Sequence, residues 1–138
     1  MRIFTVLCGL SLLGITSPAW SCSCIAPPSP KKSLEKAAAV FSGKVTAVTR
    51  TGRFLKVTVA ISRTWKGTKG KTVVVTTASS GAACGYGFKK GTSYLVYCYS
   101  TSKKPVKAAP LRTNICTRTR PLASSKGDLK ELGPGKKP

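Results

Sequence analysis

The chain has 138 residues, with 24 Lys and Arg against three acidic side chains and no His, for a net charge of +21. That composition excludes a Ser-His-Asp set, a His-activated Cys nucleophile and a His-rich zinc site, and leaves only Glu35, Asp128 and Glu131 for any two-carboxylate glycosidase chemistry. Ser-Lys chemistry passes the compositional test, but nothing marks a particular pair, so the chain reads as a protein that binds and not as an enzyme.

In chain order, Arg2 precedes an apolar run from Ile3 to Ile15, followed by Ser17-Pro18-Ala19-Trp20-Ser21. A short positive start, an apolar middle and small residues at Ala19 and Ser21 predict a signal peptide over 1–21. The run is too short, and too interrupted by Gly and Ser, to span a bilayer, and no later stretch is a better candidate, so no membrane span is expected. A lipoprotein signal also ends before a Cys, but Trp20 fits poorly into its small-residue box. Cleavage after Ser21 makes Cys22 the first residue and sends the protein to the extracellular space or, in a bacterium, to the periplasm. Taking 1–21 from 138 residues leaves 117, enough for one domain over 22–133 and a basic flexible tail over 134–138.

Cys8 leaves with the signal, while Cys22, Cys24, Cys84, Cys98 and Cys116 stay. In an exported chain this small, cysteines serve as staples for a modest core. Their number is odd, so one is unpaired or pairs with another molecule. The fifteen arrangements this leaves are not separated by spacing.

The Pro-rich lead 25–30 is expected to be extended. Ser29 reads as an N-cap with Pro30 at the first helical position, and Leu34, Ala37, Ala38 and Phe41 continue at helical spacing, predicting a short helix to about Val40. Val40 to Val48 supplies a first strand, with Gly43 marking a bulge or tight bend. Leu55, Val57, Val59 and Ile61 alternate with Lys56, Thr58, Ala60 and Ser62, and Trp65 shares the buried parity before a turn at Lys66-Gly67. Val73 to Thr77, Tyr94 to Tyr99 and Leu111 to Cys116 make three more strands. The pattern predicts an all-β fold: a five-stranded OB-fold barrel, which leaves no exposed sheet edge, with a short N-terminal helix. A short C-terminal helix over Asp128 to Leu132 is stopped by Gly133.

Three constellations carry chemistry. Cleaved after Ser21, Cys22-Ser23-Cys24 would carry a free α-amino group beside its own carbonyl, and these two atoms can form a five-membered chelate on a metal held by another protein. With a pKa of about 7.7–8.0, the amine is available in its neutral form near neutral pH. A thiolate zinc site of the chain's own has too few ligands nearby, so no cofactor is expected. The second constellation is Ser79-Ser80-Gly81-Ala82-Ala83-Cys84-Gly85-Tyr86, a strip of small residues suited to a flat surface. The third is a nearly unopposed basic surface, with Lys66, Lys69, Lys71, Lys89, Lys90, Lys103, Lys104, Lys107, Arg118 and Arg120 as candidate polyanion contacts. A sulfated glycosaminoglycan or another polyanion is its expected partner. Tyr94, Tyr97 and Tyr99 fit packing or lining of the barrel better than base stacking, and export argues against nucleic acid.

Cys22-Ser23-Cys24-Ile25 followed by prolines resembles the start of the mature tissue inhibitors of metalloproteinases (TIMP family). Phe41-Ser42-Gly43-Lys44-Val45, Trp65-Lys66-Gly67, Cys84-Gly85-Tyr86, Tyr94-Leu95-Val96-Tyr97 and Asn114-Ile115-Cys116 with Arg120-Pro121-Leu122 resemble segments of the wider netrin-like (NTR) domains, in the same order across 22–122. The resemblance implies an OB barrel, disulfides Cys22–Cys84 and Cys24–Cys116, and a zinc metalloproteinase as partner. It also implies an inhibitory ridge of Cys22, Ser23, Cys24, Ile25, Ala82, Ala83 and Cys84. In it the Cys22 amine and carbonyl hold the protease's catalytic zinc and Ser23 enters the S1′ pocket. The chain departs from the animal inhibitors in having no Cys in its first helix and no second cysteine-rich subdomain. Cys98 has no family partner. It is a buried thiol or pairs with Cys116 across a hairpin near Lys107, which would undo the Cys24 pairing. The alternative function is that of a netrin-like adhesion module that binds polyanions and inhibits nothing.

Overall fold

The structure is a computed structural model and describes residues 21–102 and 110–138. The expected signal peptide therefore lies, but for Ser21, outside the described residues, as do Lys103, Lys104 and Lys107. The fold is mainly β, with two short helices. Helix α1 (Pro30–Lys36) begins as its cap chemistry predicts, with the Ser29 side chain accepting from the Lys32 backbone N–H and Pro30 at N1. It stops at Lys36, short of Val40, because Ala37 is already extended and Ala39 and Val40 are taken by the first strand.

Strands β1 (Ala39–Thr51), β2 (Phe54–Lys66) and β3 (Thr72–Ala78) form an antiparallel meander. Strand β4 (Ser93–Ser100) pairs with β1, β5 (Leu111–Arg112) and β6 (Arg120–Pro121). Because β5 also runs parallel to β3, the pairings pass in a cycle from β1 through β2, β3, β5 and β4 back to β1. The last expected strand is much shorter than predicted. It ends at Arg112 because the Asn114 side chain accepts from the backbone N–H groups of Cys116 and Thr117 (2.9 and 3.1 Å) and turns the chain.

Ala39, Phe41, Val45, Val57, Val59, Ile61, Val75, Tyr94, Val96, Cys98 and Leu111 form the main core cluster, together with Phe88. The alternate residues Val40, Leu95 and Tyr97 face a second cluster, closed by Leu34, Trp65, Leu122, and Leu129 and Leu132 of α2 (Lys126–Leu132). β1 and β4 are therefore covered on both faces. Trp65 belongs to this second cluster and not, as its parity predicts, to the face of Val57, Val59 and Ile61. The reason is a bulge: Ser42 pairs with Arg63 and Gly43 with Ile61, so Ser62 is an extra residue that turns the rest of β2 over. Gly43 sits beside that bulge, where a Cβ would run into the carbonyl of Ala60.

The tail after α2, expected to be flexible, is held in place. Trp65 Nε1 donates to the Gly133 carbonyl (3.0 Å), and Thr64 and Lys136 exchange two backbone hydrogen bonds of 2.8 Å. Among the described residues, no helix is long and apolar enough to cross a membrane.

Candidate functional site

Three irregular segments meet at one edge of the sheet. The first, Cys22 to Pro28, is an extended lead. Its Pro28 carbonyl accepts from Ser33 Oγ (3.0 Å) and from a guanidinium N–H of Arg118 (3.1 Å). The second is a 3-10 turn over Gly81–Ala83, with Ser80 Oγ accepting from the Ala83 N–H. Cys84 closes this turn in the left-handed region at φ 61°, a conformation that disfavours a side chain by roughly 1–2 kcal/mol. Gly85 follows because a Cβ there would meet the carbonyl of Ala78. The third segment is the Asn114 turn, joined to the second by a hydrogen bond from the Ile115 N–H to the Cys84 carbonyl (3.0 Å).

Disulfides bind these segments to one another. Cys22 is bonded to Cys84 and Cys24 to Cys116, with Cα separations of 5.2 and 5.1 Å, while Cys98 is buried and unpaired. Burial in apolar surroundings pushes the Cys98 thiol far above its ordinary pKa, so it stays protonated and inert. The sulfurs of Cys22, Cys24 and Cys116 lie within 4.8 Å of one another. As half-cystines they offer no thiolate, so the cluster is two adjoining disulfides and no metal site.

The result is a small ridge. Ser23, Cys24, Ile25, Ala82 and Ala83 are exposed, Ile25 at 92 % of its full surface, while Cys22 and Cys84 are half-buried beneath them. Ser23 is anchored on both sides by a disulfide, so its side chain projects from a fixed backbone. Ile115 (43 % exposed) belongs to the same edge. Sequence reasoning missed it by placing it inside a strand, although the adjacent Asn was the available turn signal.

The basic residues do not form one set. Lys69, Lys71, Lys89 and Lys90 are exposed. Their two connections flank Lys44, since Ser93, Lys44, Ala60 and Thr72 lie in one cross-strand row. Lys44, exposed and not singled out from the sequence, therefore continues the basic patch. Lys66 is committed elsewhere, its ammonium donating to the Leu34 and Glu35 carbonyls at the end of α1 (3.1 and 2.7 Å). Arg118 is committed too. Its Nε and one terminal N–H donate to the two oxygens of Asp128 (2.8 and 2.7 Å). Arg120 stands 3.8 Å from the same carboxylate and is more open to solvent.

Burial opposes the charge on Asp128, which is 2 % exposed. The hydrogen bonds and charge of Arg118, aided by Arg120 and by a hydrogen bond from the Tyr97 hydroxyl, outweigh that burial and hold its carboxyl below the ordinary range. Tyr97 is pushed strongly upward, first by burial and then by the Asp128 charge. One of the chain's three acids is thus neutralised inside the fold, and Glu35 and Glu131 are the exposed ones.

No protein-family model matches the chain, and no curated protein matches it.

Proposed function

We propose that the protein is a secreted inhibitor of zinc metalloproteinases, built on an OB-fold barrel of the netrin-like type. The observation that carries this reading is the pair of adjoining disulfides that clamp Cys22-Ser23-Cys24 beside the exposed Ala82-Ala83 strip. The five-strand cycle β1-β2-β3-β5-β4 supports the barrel, since closure of that kind removes free edges. In the full chain the Cys22 nitrogen is part of a peptide bond with Ser21. Cleavage after Ser21 frees it as a primary amine next to its own carbonyl oxygen. The neutral amine and the carbonyl then occupy two positions on the protease's zinc, displacing the water that the enzyme uses as nucleophile. Ser23 enters the pocket that takes the residue after a scissile bond, and the Ala82-Ala83 strip lies along the cleft. The ridge is not consumed, because disulfides hold both ends of the short segment and there is no leaving chain to release. The test is to place one residue ahead of Cys22, or to acetylate its amine, and to measure inhibition across a panel of zinc metalloproteinases. Both changes abolish inhibition on this reading and leave the fold intact.

A second reading has its own observation. With Asp128 sequestered by Arg118, the charge of Lys44, Lys69, Lys71, Lys89 and Lys90 faces solvent nearly unopposed. That patch suits a sulfated glycan or another polyanion, either as an anchor for the inhibitor or as the whole function of an adhesion module.

A further inference from the structure

Next to the ridge, a hollow of about 150 Å³ opens between the tip of the β1–β2 hairpin and the β5 edge. Phe54, Thr76, Tyr99, Arg112 and Asn114 line it, and Ala83 and Cys84 of the ridge form its wall. Arg112 lies over the Phe54 ring, 5.2 Å from its centroid. A guanidinium over a ring face is attracted by the π electrons and does not spend its N–H donors on that contact. Its Nε is buried and has no hydrogen-bond partner, and among the described residues the guanidinium makes no ion pair.

Asn114, Tyr99 and Thr76 supply donors at the opening, while the hydroxyls of Thr77 and Thr113, which also line it, are engaged with the Tyr86 N–H and the Tyr97 carbonyl. Asn114 points its Nδ2 at the Tyr99 hydroxyl (3.4 Å), leaving the hydroxyl proton and the second amide N–H available. Its acceptor oxygen is already used by Cys116 and Thr117. Thr76 adds a hydroxyl, and none of Glu35, Asp128 and Glu131 lines the hollow. A buried, unpaired charged donor is costly, and a rigid fork of N–H groups matches a planar carboxylate in a two-pronged pairing. We propose that this hollow receives a carboxylate, the Asp or Glu side chain of the protein that docks on the ridge. The proposal rests on the inhibitor reading for its source of the carboxylate. Arg112 thereby becomes a specificity contact next to the zinc-binding terminus.

Two arms test it. In the first, the Arg112 Nε–Hε resonance is followed by NMR in the native, mature protein during titration with sodium acetate and with a short Glu-containing peptide. Sodium chloride at matched ionic strength and sodium sulfate serve as controls. A saturable shift with acetate and peptide, absent with chloride and weaker with sulfate, is expected. No saturable shift overturns the site, and a stronger response to sulfate overturns the carboxylate assignment in favour of a sulfated chain. In the second arm, Arg112→Gln weakens inhibition of a susceptible protease by about tenfold or more, and Arg112→Lys by less. If Arg112→Gln inhibits as the native protein does while acetate still binds the native site, the docked side chain is excluded as the source and free carboxylates remain. If the native protein inhibits no member of the panel, the inhibitor reading fails and the docked source fails with it, whereas the titration still decides the site.

Discussion

The sulfur of Cys22 lies 3.8 Å from the sulfur of Cys116, although the two belong to different disulfides. That contact makes the two bonds a single clamp on the Cys22–Cys24 segment. The bonds close loops with sequence separations of 62 and 92 residues. By restricting the unfolded chain, each is worth on the order of 4 kcal/mol in the entropic model, with less from the second once the first is present. Replacing Cys24 and Cys116 together by Ser is therefore expected to lower the midpoint of denaturant unfolding with the sheet retained. Peptide mapping of the native protein should yield Cys22–Cys84 and Cys24–Cys116, and Cys98 should resist alkylation until the protein is unfolded. A Cys98–Cys116 peptide would overturn the clamp.

The ion pair of Arg118 and Asp128 gives an acid-sensitive contribution to stability. A carboxyl held below its ordinary pKa stabilises the fold above its unfolded value, near 3.8, and that contribution is lost as pH falls through the lower folded value. Asp128→Asn is expected to cost about 3 kcal/mol at pH 7, since it leaves Arg118 partly buried without its counter-charge. The gap between the native protein and the variant should then narrow below about pH 4, as the native carboxyl takes up its proton. Urea unfolding at pH 7, 4 and 2.5 checks this. A gap that stays constant across the three values would mean that Asp128 does not titrate in that range.

The short-range chemistry of the chain was legible from its residues, and its long-range chemistry was not. Ser29 and Pro30 announce the start of α1 because a cap acts within one turn. The alternation from Leu55 to Ile61 announces β2 because burial of one face repeats every second residue. The extra residue at Ser62 has no local signature, so the face on which Trp65 falls depended on its pairing with β1. The tail was expected to be flexible as a chain terminus, yet the Trp65 indole and the Thr64 backbone hydrogen-bond to it across the fold. In the candidate site, the ridge residues were named through the resemblance and not through spacing. Ile115 and Arg112 were not, because one follows a turn and the other depends on Phe54, 58 positions earlier in the chain.

The basic patch around Lys44 predicts salt-sensitive binding. Neutralising Lys44, Lys69, Lys71, Lys89 and Lys90 with Gln is expected to weaken heparin binding strongly at low salt. It should also flatten the dependence of affinity on salt, because fewer counter-ions are released. Arg118→Gln should reduce stability more than it reduces heparin affinity, since that side chain is spent on Asp128 and Pro28. Retention of the native protein on a sulfated matrix no stronger than on a neutral one would count against the patch.

Ser23 separates the ridge from the rest of the surface most cleanly. It is exposed, its neighbours on both sides are disulfide-bonded, and among the described residues its side chain makes no hydrogen bond, so changing it leaves the fold untouched. Ser23→Gly empties the side chain that enters the S1′ pocket on the inhibitor reading. The variant should keep the native unfolding midpoint within about 0.5 kcal/mol, yet shift its ranking of metalloproteinases, losing most against those whose pocket the Ser fills. A larger residue, as in Ser23→Leu, should favour enzymes with deep apolar pockets and reject those with shallow ones, a discrimination of roughly 1–3 kcal/mol. The five-lysine variant should keep the native ranking unchanged, because its charges lie on β1 and in the connections before β3 and β4, and not among the ridge residues. Inhibition constants for the three variants against one panel measure all of this. An unchanged ranking for both Ser23 variants would place the contact with the protease somewhere other than the ridge.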